Sequence, residues 1–342
     1  MKAFLATLLA ALVLAGCVFL QEGRPVSRSS ETRLFVIAKG QGIRDIADAL
    51  ASEKLIRSRA YFLYLAWSRG DHGAFKAGSF ELSPSMPAGE IERTLAQGRP
   101  VSNEREVTIL EGWTLDDIAD YLEAQGVSSK KDFYAEVGES AKPVKPGDLP
   151  DWSASYPMLA SKPATASLEG YLFPDTYRIY ADGGIKALVR RMLDNFQGKY
   201  GSALGEESAR VEKRSVHEIV TMASLIEREV RGEKDRTLVS DIFWKRVEAG
   251  MPLQADSTVN YVTGHSRPSA SYLDTKVDSP WNTYRYKGLP PTPIGNPGLS
   301  AIKAALNPEP NPYWYFLTDK EGNVRYAKTF QEHVANKSKY LR

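Results

Sequence analysis

The sequence predicts an α+β protein, and three features of it do so. Strand-like and helix-like stretches are mixed without the regular strand–helix–strand alternation of a parallel sheet. Amphipathic helical runs dominate the second half, while short alternating strands open the first half and close the tail. The 342 residues suit one large domain or two moderate ones, and an apolar content of 42% can fill their cores. The expected organisation is an anchor or signal segment over 1–20, a linker over 21–32, a small strand–helix subdomain over 33–100 and a larger mixed domain over 101–342. Lys and Arg (44) nearly balance Asp and Glu (42), and no basic stripe carries interleaved aromatics, so no nucleic-acid partner is expected. The four histidines, His72, His217, His265 and His333, lie far apart, so no metal site is expected either.

After Met1 and Lys2, Ala3 to Leu20 is an uncharged apolar run, which fits a short membrane span or the apolar region of a signal peptide. Leu14 to Cys17 reads LAGC, similar to the lipobox of bacterial lipoproteins, and Cys17 is the sole cysteine. Two readings follow: an uncleaved single-pass anchor, favoured by the apolar VFL after Cys17, or lipidation at Cys17. Both put the rest of the chain outside the cytoplasm beside the inner membrane. Gln21 to Thr32 is polar and turn-rich. From Arg33 come a strand, a glycine turn and an amphipathic helix. A similar unit returns from Arg105, sharing the frame G-x4-D-I-A-D-x-L at Gly40 and Gly112. Ile46 and Leu50, like Ile118 and Leu122, fall four apart on one helix face. The shared frame fits a common packing rule, and it also resembles LysM-type glycan-binding modules.

FELS reads as a strand and AGEIERTLAQG as a short helix ended by Gly98. The stretch 138–167 is rich in Pro, Ala, Ser, Gly and Lys and reads as a long irregular insertion, a lid or a disordered segment. LEGYLFPDTYRI follows, dense in aromatics. Helices are expected over Gly184–Tyr200, Ser215–Val230 and Asp235–Glu248. The tail reads as strand, turn at Gly322, strand and helix.

Residues 223–230, ASLIEREV, hold two glutamates two positions apart. On a helix at ~100° per residue with Val216 at zero, Val220, Ala223 and Val230 fall within about 40°. Glu227 falls at about 20°, inside this apolar stripe, whereas Glu218 and Glu229 fall near 200–220°, toward solvent or a polar neighbour. A carboxylate against an apolar wall loses hydration and its pKa rises, which suits an acid that protonates a leaving oxygen. The competing reading pairs Glu227 with an arginine at a helix contact. HEIVT at His217 lacks the second histidine of a zinc peptidase, and SAIK at Ser300 lacks the companion elements of penicillin-binding enzymes. LQADSTVNY and SPWNTYRYKGLPPTPIGNPG supply Gln254, Asp256, Asn282 and Tyr284. These amide, carboxylate and aromatic groups suit a carbohydrate, and a turn-rich loop with structural asparagines is the alternative.

ASLIEREV, MPLQADSTVNY, NTYRYKGLPPTPIGNPGLSAIKAALNP, LEGYLFPDTY and FKAGSFELSP together resemble the endolytic murein transglycosylases of the YceG-like family, in the family's order from about Arg33 to the end. The resemblance implies a LysM-like subdomain, a catalytic domain and an N-terminal inner-membrane anchor with the enzyme in the periplasm. It makes Glu227, the first Glu of the A-S-apolar-apolar-E-[KR]-E element, the catalytic acid. It implies cleavage between N-acetylmuramic acid and N-acetylglucosamine to leave a 1,6-anhydro end; the residues themselves add Asp256 and Gln254 as polarising or orienting groups, then Asn282 and Tyr284, around the sugar. No cofactor or metal is implied, and the partners are glycan strands, the membrane and peptidoglycan synthases. The alternatives are a non-catalytic peptidoglycan-binding scaffold and a hydrolase using water. The LAGC motif and the Pro-rich insertion depart from the family pattern.

Overall fold

The structure is a computed structural model that describes residues 19, 21–38, 40–98, 104–180, 184–204, 214–265 and 270–341. The chain divides into two compact units, Met1–Glu104 and Arg105–Arg342. Apart from Phe19, the apolar run expected as an anchor lies outside the described residues, and so does Cys17. Among the described residues no helix is long and apolar enough to cross a membrane.

In the first unit, β1 (Arg33–Ile37), α1 (Ile43–Ser52), α2 (Arg59–Ser68), β2 (Gly78–Leu82) and α3 (Ala88–Gln97) follow in order. β1 and β2 pair antiparallel with Phe35 opposite Phe80. Both rings are buried with Ile46, Leu50, Phe62 and Ile91, so one sheet face and the inner stripes of the helices make the core. Ser58 caps α2 by accepting from the Tyr61 amide. α2 has apolar residues on most of its surface, so it shows no single stripe to the sequence reader. The segment read as a linker is tied to this unit. Gly23 O accepts from Ala88 N, Ser27 N donates to Pro84 O, and Arg57 donates to Pro25 O.

In the second unit, β3 (Glu104–Thr108) pairs with β4 (Thr176–Tyr180). α4 (Leu115–Ala124) starts with a capping box between Thr114 and Asp117 and buries Ile118, Ala119 and Leu122, the same positions of the shared frame that α1 buries. α5 (Lys130–Val137) leads into the Pro-rich insertion. That stretch is largely turns, yet it is packed rather than loose: Trp152, Tyr156, Met158 and Leu159 join the core, and Trp152 Nε1 donates to Glu136 O. Composition hides this, because these few large apolar side chains are dispersed among many small ones. A cavity of about 320 Å³ lies in the insertion, lined by residues such as Trp152, Leu159 and Lys162.

The helical body then comprises α6 (Gly184–Leu204), α7 (Val216–Glu229), α8 (Glu233–Glu248), α9 (Asp256–Thr263) and α10 (Leu299–Leu306). α10 packs on α6, α7 and α8, and α9 packs on α7. β5 (Tyr315–Thr318) and β6 (Val324–Ala327) form an antiparallel hairpin, and α11 (Phe330–Tyr340) packs on it. α7 is the buried centre: every residue from Ile219 to Ile226 is enclosed. Its Ser215 cap and Glu218 form a capping box, which gives Glu218 a structural task at the first turn.

Candidate active site

The last two turns of α7 send polar side chains to several separate parts of the second unit. Ser224 Oγ accepts from Ile294 N at 3.0 Å. Arg228 Nη1 donates to the carbonyls of Gly112 and Ile294, both at 3.3 Å. Glu227 Oε2 accepts from Gly298 N at 3.0 Å, and Glu227 Oε1 accepts from Arg236 Nη2 of α8 at 2.5 Å. Glu229 Oε1 accepts from Ser257 Oγ at 2.6 Å and from Ser257 N at 3.4 Å. ASLIEREV is thus the junction on which the loops around 112, 257 and 294–298 converge.

The two glutamates are separated by what they meet. The Glu227 side chain is 6% exposed and Arg236 is 9% exposed, so the pair is well shielded. Burial raises the Glu227 pKa above the ordinary carboxylate value, Arg236 and the Gly298 amide oppose that rise, and Glu111 adds to it. Both sequence readings of Glu227 therefore meet in one residue: it lies against the apolar side of α7, and it also holds an arginine. Glu229 does turn to the other side, but toward a polar neighbour rather than solvent. Its carboxylate is enclosed at the N-terminus of α9, whose Ala255 cap position has no side chain to accept hydrogen bonds. Glu229 supplies that acceptor from another helix. Burial, with help from Asp256, pushes its carboxyl up to about 7 despite the Ser257 hydrogen bonds.

Glycines let the loops close around Glu227. A Cβ on Gly295 would stand 2.7 Å from the Gly112 carbonyl, and one on Gly298 would overlap the Glu111 carboxylate. A Cβ on Gly112 would lie 3.6 Å from Glu227 Cγ. The loops themselves are tied by Asn296. Its Oδ1 accepts from Gly170 N and Leu172 N, both at 3.0 Å, and its Nδ2 donates to Trp113 O at 2.9 Å. Its backbone exchanges hydrogen bonds with Gly112 N and Trp113 O at 2.8 Å. Nδ2 also reaches Glu169 Oε1 at 3.3 Å. Glu169 is fully buried and accepts from Leu115 N, Ser140 Oγ and Tyr261 OH as well. Burial pushes Glu169 up to about 8, while its Ser140, Leu115 and Tyr261 donors hold it back.

The remaining predicted residues fall in two groups. Gln254 is exposed and adopts φ of +53°, a left-handed conformation that a non-glycine residue rarely takes. Its backbone is pinned by Gln254 N to Thr283 O and Ala255 N to Thr283 Oγ1, and its amide makes no hydrogen bond among the described residues. Asp256 Oδ1 accepts from Tyr284 OH at 2.7 Å, so these two form a half-buried pair next to Glu229. Asn282 is 1% exposed and serves its own loop: Nδ2 donates to Thr275 O and Val277 O, and Oδ1 accepts from Tyr284 N. Its carboxamide is spent on the turn, in line with the structural-asparagine alternative.

Glu111, Glu169, Arg236 and Asn296 escape the sequence reading: the partners of Glu169 and Asn296 are distant in the chain, Arg236 reaches Glu227 from the next helix, and Glu111 is brought beside Gly298 only by the fold. One signal did exist for Glu111: the second copy of the shared frame has a glutamate before its glycine where the first has Lys39.

Residues 35–339 match the YceG-like family. A Bacillus subtilis (strain 168) relative named endolytic murein transglycosylase is 33% identical over 324 residues, with 93% of this chain and 87% of the relative covered. A Streptococcus pneumoniae (serotype 2, strain D39) protein of the same name is 31% identical over 341 residues, with 93% of this chain but 60% of that protein covered. A crystal structure of a YceG-like protein from Listeria monocytogenes is 34% identical with a TM-score of 0.56, covering 90% of this chain and 99% of that one. The chain belongs to the YceG-like family.

Proposed function

We propose that this chain is an endolytic peptidoglycan lytic transglycosylase in which Glu227 serves as acid and then as base. The observation that carries this reading is the divided surroundings of Glu227. Burial and the Glu111 charge favour the protonated acid, while Arg236 and the Gly298 amide favour the carboxylate. A reaction that uses one group twice needs both forms within reach. Protonated Glu227 would give its proton to the oxygen leaving the muramoyl anomeric carbon. The resulting carboxylate would take the proton of the muramoyl C6 hydroxyl as that oxygen attacks the same carbon. A 1,6-anhydro end forms, no water is consumed, and the proton returns to Glu227. The relatives' printed names support the same activity.

Gln254 and the Asp256–Tyr284 pair would hold the sugar, with the exposed Gln254 amide presented by its strained backbone. The first unit, with its antiparallel strand pair and intervening helices, would add glycan affinity as a LysM-like subdomain. The apolar run Ala3–Leu20 would hold the enzyme at the inner membrane with its catalytic unit in the periplasm, near a peptidoglycan synthase.

Mass spectrometry of glycan strands digested by the wild type and by Glu227→Gln tests the reading. New anhydro ends from the wild type, and a loss of ~10²–10⁴-fold or more per folded molecule in the variant, are expected. Reducing ends would mean a hydrolase, and no new ends a binding scaffold. Wild-type rates in Glu227→Gln would sink the assignment.

A further inference from the structure

We propose that Glu111 is a second carboxylate of this site, placed beside Glu227 to stabilise the positive charge that develops on the muramoyl ring as its glycosidic bond breaks. The proposal rests on the reading of Glu227 as the acid–base group, and it adds a residue that neither the helical phase of α7 nor the polar loop motifs had pointed to.

Three observations carry it. The first is position. Glu111 lies in the loop between β3 and α4, and its carboxylate fills the place where a Cβ on Gly298 would stand. Gly298 is the residue whose amide donates to Glu227 Oε2 at 3.0 Å. One glycine therefore touches both carboxylates, and any larger residue there would displace Glu111. The second is availability. Glu111 is exposed and makes no hydrogen bond or ion pair among the described residues, whereas Glu169, Glu218, Glu227 and Glu229 all have partners. A carboxylate held against a backbone without a partner of its own is free to face a ligand. The third is the care with which its loop is fixed. Gly112 and Trp113, the next two residues, exchange backbone hydrogen bonds with Asn296, and Arg228 holds the Gly112 carbonyl. The carboxylate thus projects from a fixed backbone beside the acid.

The chemistry fits that placement. Cleavage of a glycosidic bond passes through an oxocarbenium-like state with positive charge on the anomeric carbon and ring oxygen. A fixed negative group beside that charge lowers the barrier without exchanging a proton or forming a bond. Glu111 would remain a carboxylate throughout, while the proton passes from Glu227 to the leaving oxygen and back from the C6 hydroxyl. Glu111 would also oppose the ionisation of Glu227. The charged and polar groups that face Glu227 are Arg236 from α8 and the Gly298 amide, which favour its carboxylate, and Glu111, which favours its acid; Arg228 beside it is turned to the Gly112 and Ile294 carbonyls.

The test compares the full chain with its Glu111→Gln, Glu111→Asp and Glu227→Gln variants. Formation of anhydro-ended strands is followed by mass spectrometry across pH, together with thermal melts. Glu111→Gln should melt like the wild type, lose about 10-fold or more in kcat with KM little changed, and have its high-pH limb displaced to lower pH. The limb moves down because activity needs protonated Glu227, and removing a negative neighbour makes that proton easier to lose. Glu111→Asp should recover part of kcat. Wild-type kcat and an unmoved limb in Glu111→Gln, alongside an inactive Glu227→Gln, would overturn the role of Glu111 and leave the acid–base reading standing. A kcat loss that follows only a lower melting temperature would overturn it too. Activity retained in Glu227→Gln would instead remove the reading beneath.

Discussion

Replacing Glu229 by glutamine tests whether the two glutamates of ASLIEREV divide structure from chemistry. Burial pushes the Glu229 carboxyl from 4.5 up to about 7. The folded state therefore binds this proton more tightly than the unfolded chain does. The stabilisation is fully present below about 4.5 and is lost as pH rises through the folded value near 7. A rise of that size corresponds to an upper limit of about 3 kcal/mol at ~1.4 kcal/mol per pKa unit. Glutamine keeps the volume and can still accept from Ser257, but it carries no charge at the α9 terminus. Relative to the wild type, Glu229→Gln should gain about 1–3 kcal/mol between pH 4.5 and pH 8. For a unit of this size that is a relative Tm rise of roughly 3–10 °C. Thermal melts of both proteins at pH 4.5, 6 and 8 measure it, with anhydro-end formation scored per folded molecule at each pH. Activity should fall far less than in Glu227→Gln. A stability difference that does not change with pH would refute the buried-charge account. Abolished activity in a variant that melts like the wild type would refute the division of labour.

Asn296→Ala should cost about 3 kcal/mol or more in denaturant unfolding, because it leaves the Gly170 and Leu172 amides without their acceptor in a buried site, while the Trp113 carbonyl keeps only the residue-296 backbone donor. Gln254→Gly should keep or raise stability by about 1 kcal/mol, since glycine takes a positive φ freely, yet raise KM for glycan strands. An unchanged KM would show that the amide does not touch substrate. A form beginning at Gln21 should be soluble, keep the hydrogen bonds of residues 23–27 and still cleave soluble strands, whereas one beginning at Arg33 should melt lower because those bonds are gone. Equal melting would mean that residues 21–32 contribute nothing to stability.

What the sequence made legible was local. The phase of α7 placed Glu227 on the apolar side, and period-3.6 patterning located α6, α7 and α8 along with the burial of Ile46, Leu50, Ile118 and Leu122. It could not say what stood opposite each face. The helical wheel turned Glu229 away from the stripe, but the open end of α9 that receives it comes from a loop 28 positions later. Glu227 meets Gly298 across 71 positions, and Asn296 meets Trp113 across 183. No window on the sequence spans such separations. The short helices α9 and α10 were hidden for another reason. Each is eight residues long and set among turn-rich segments, so neither completes enough turns to show a period. The Pro-rich insertion is irregular, as its composition suggests, but its packing does not show in the sequence because its few large core residues are diluted by small ones.

The knot at Asn296 also sets when the site comes into being. A chain that has formed α7 and α8 has Glu227 and Arg236 at hand, which are nine positions apart. It has neither the Gly298 amide nor the Glu111 carboxylate until the loop at 294–298 closes back on residues emitted far earlier. Closing so long a loop is entropically uphill until the body beneath it is packed. On the roles proposed for Glu227 and Glu111, competence to cleave and completion of the fold are then one event.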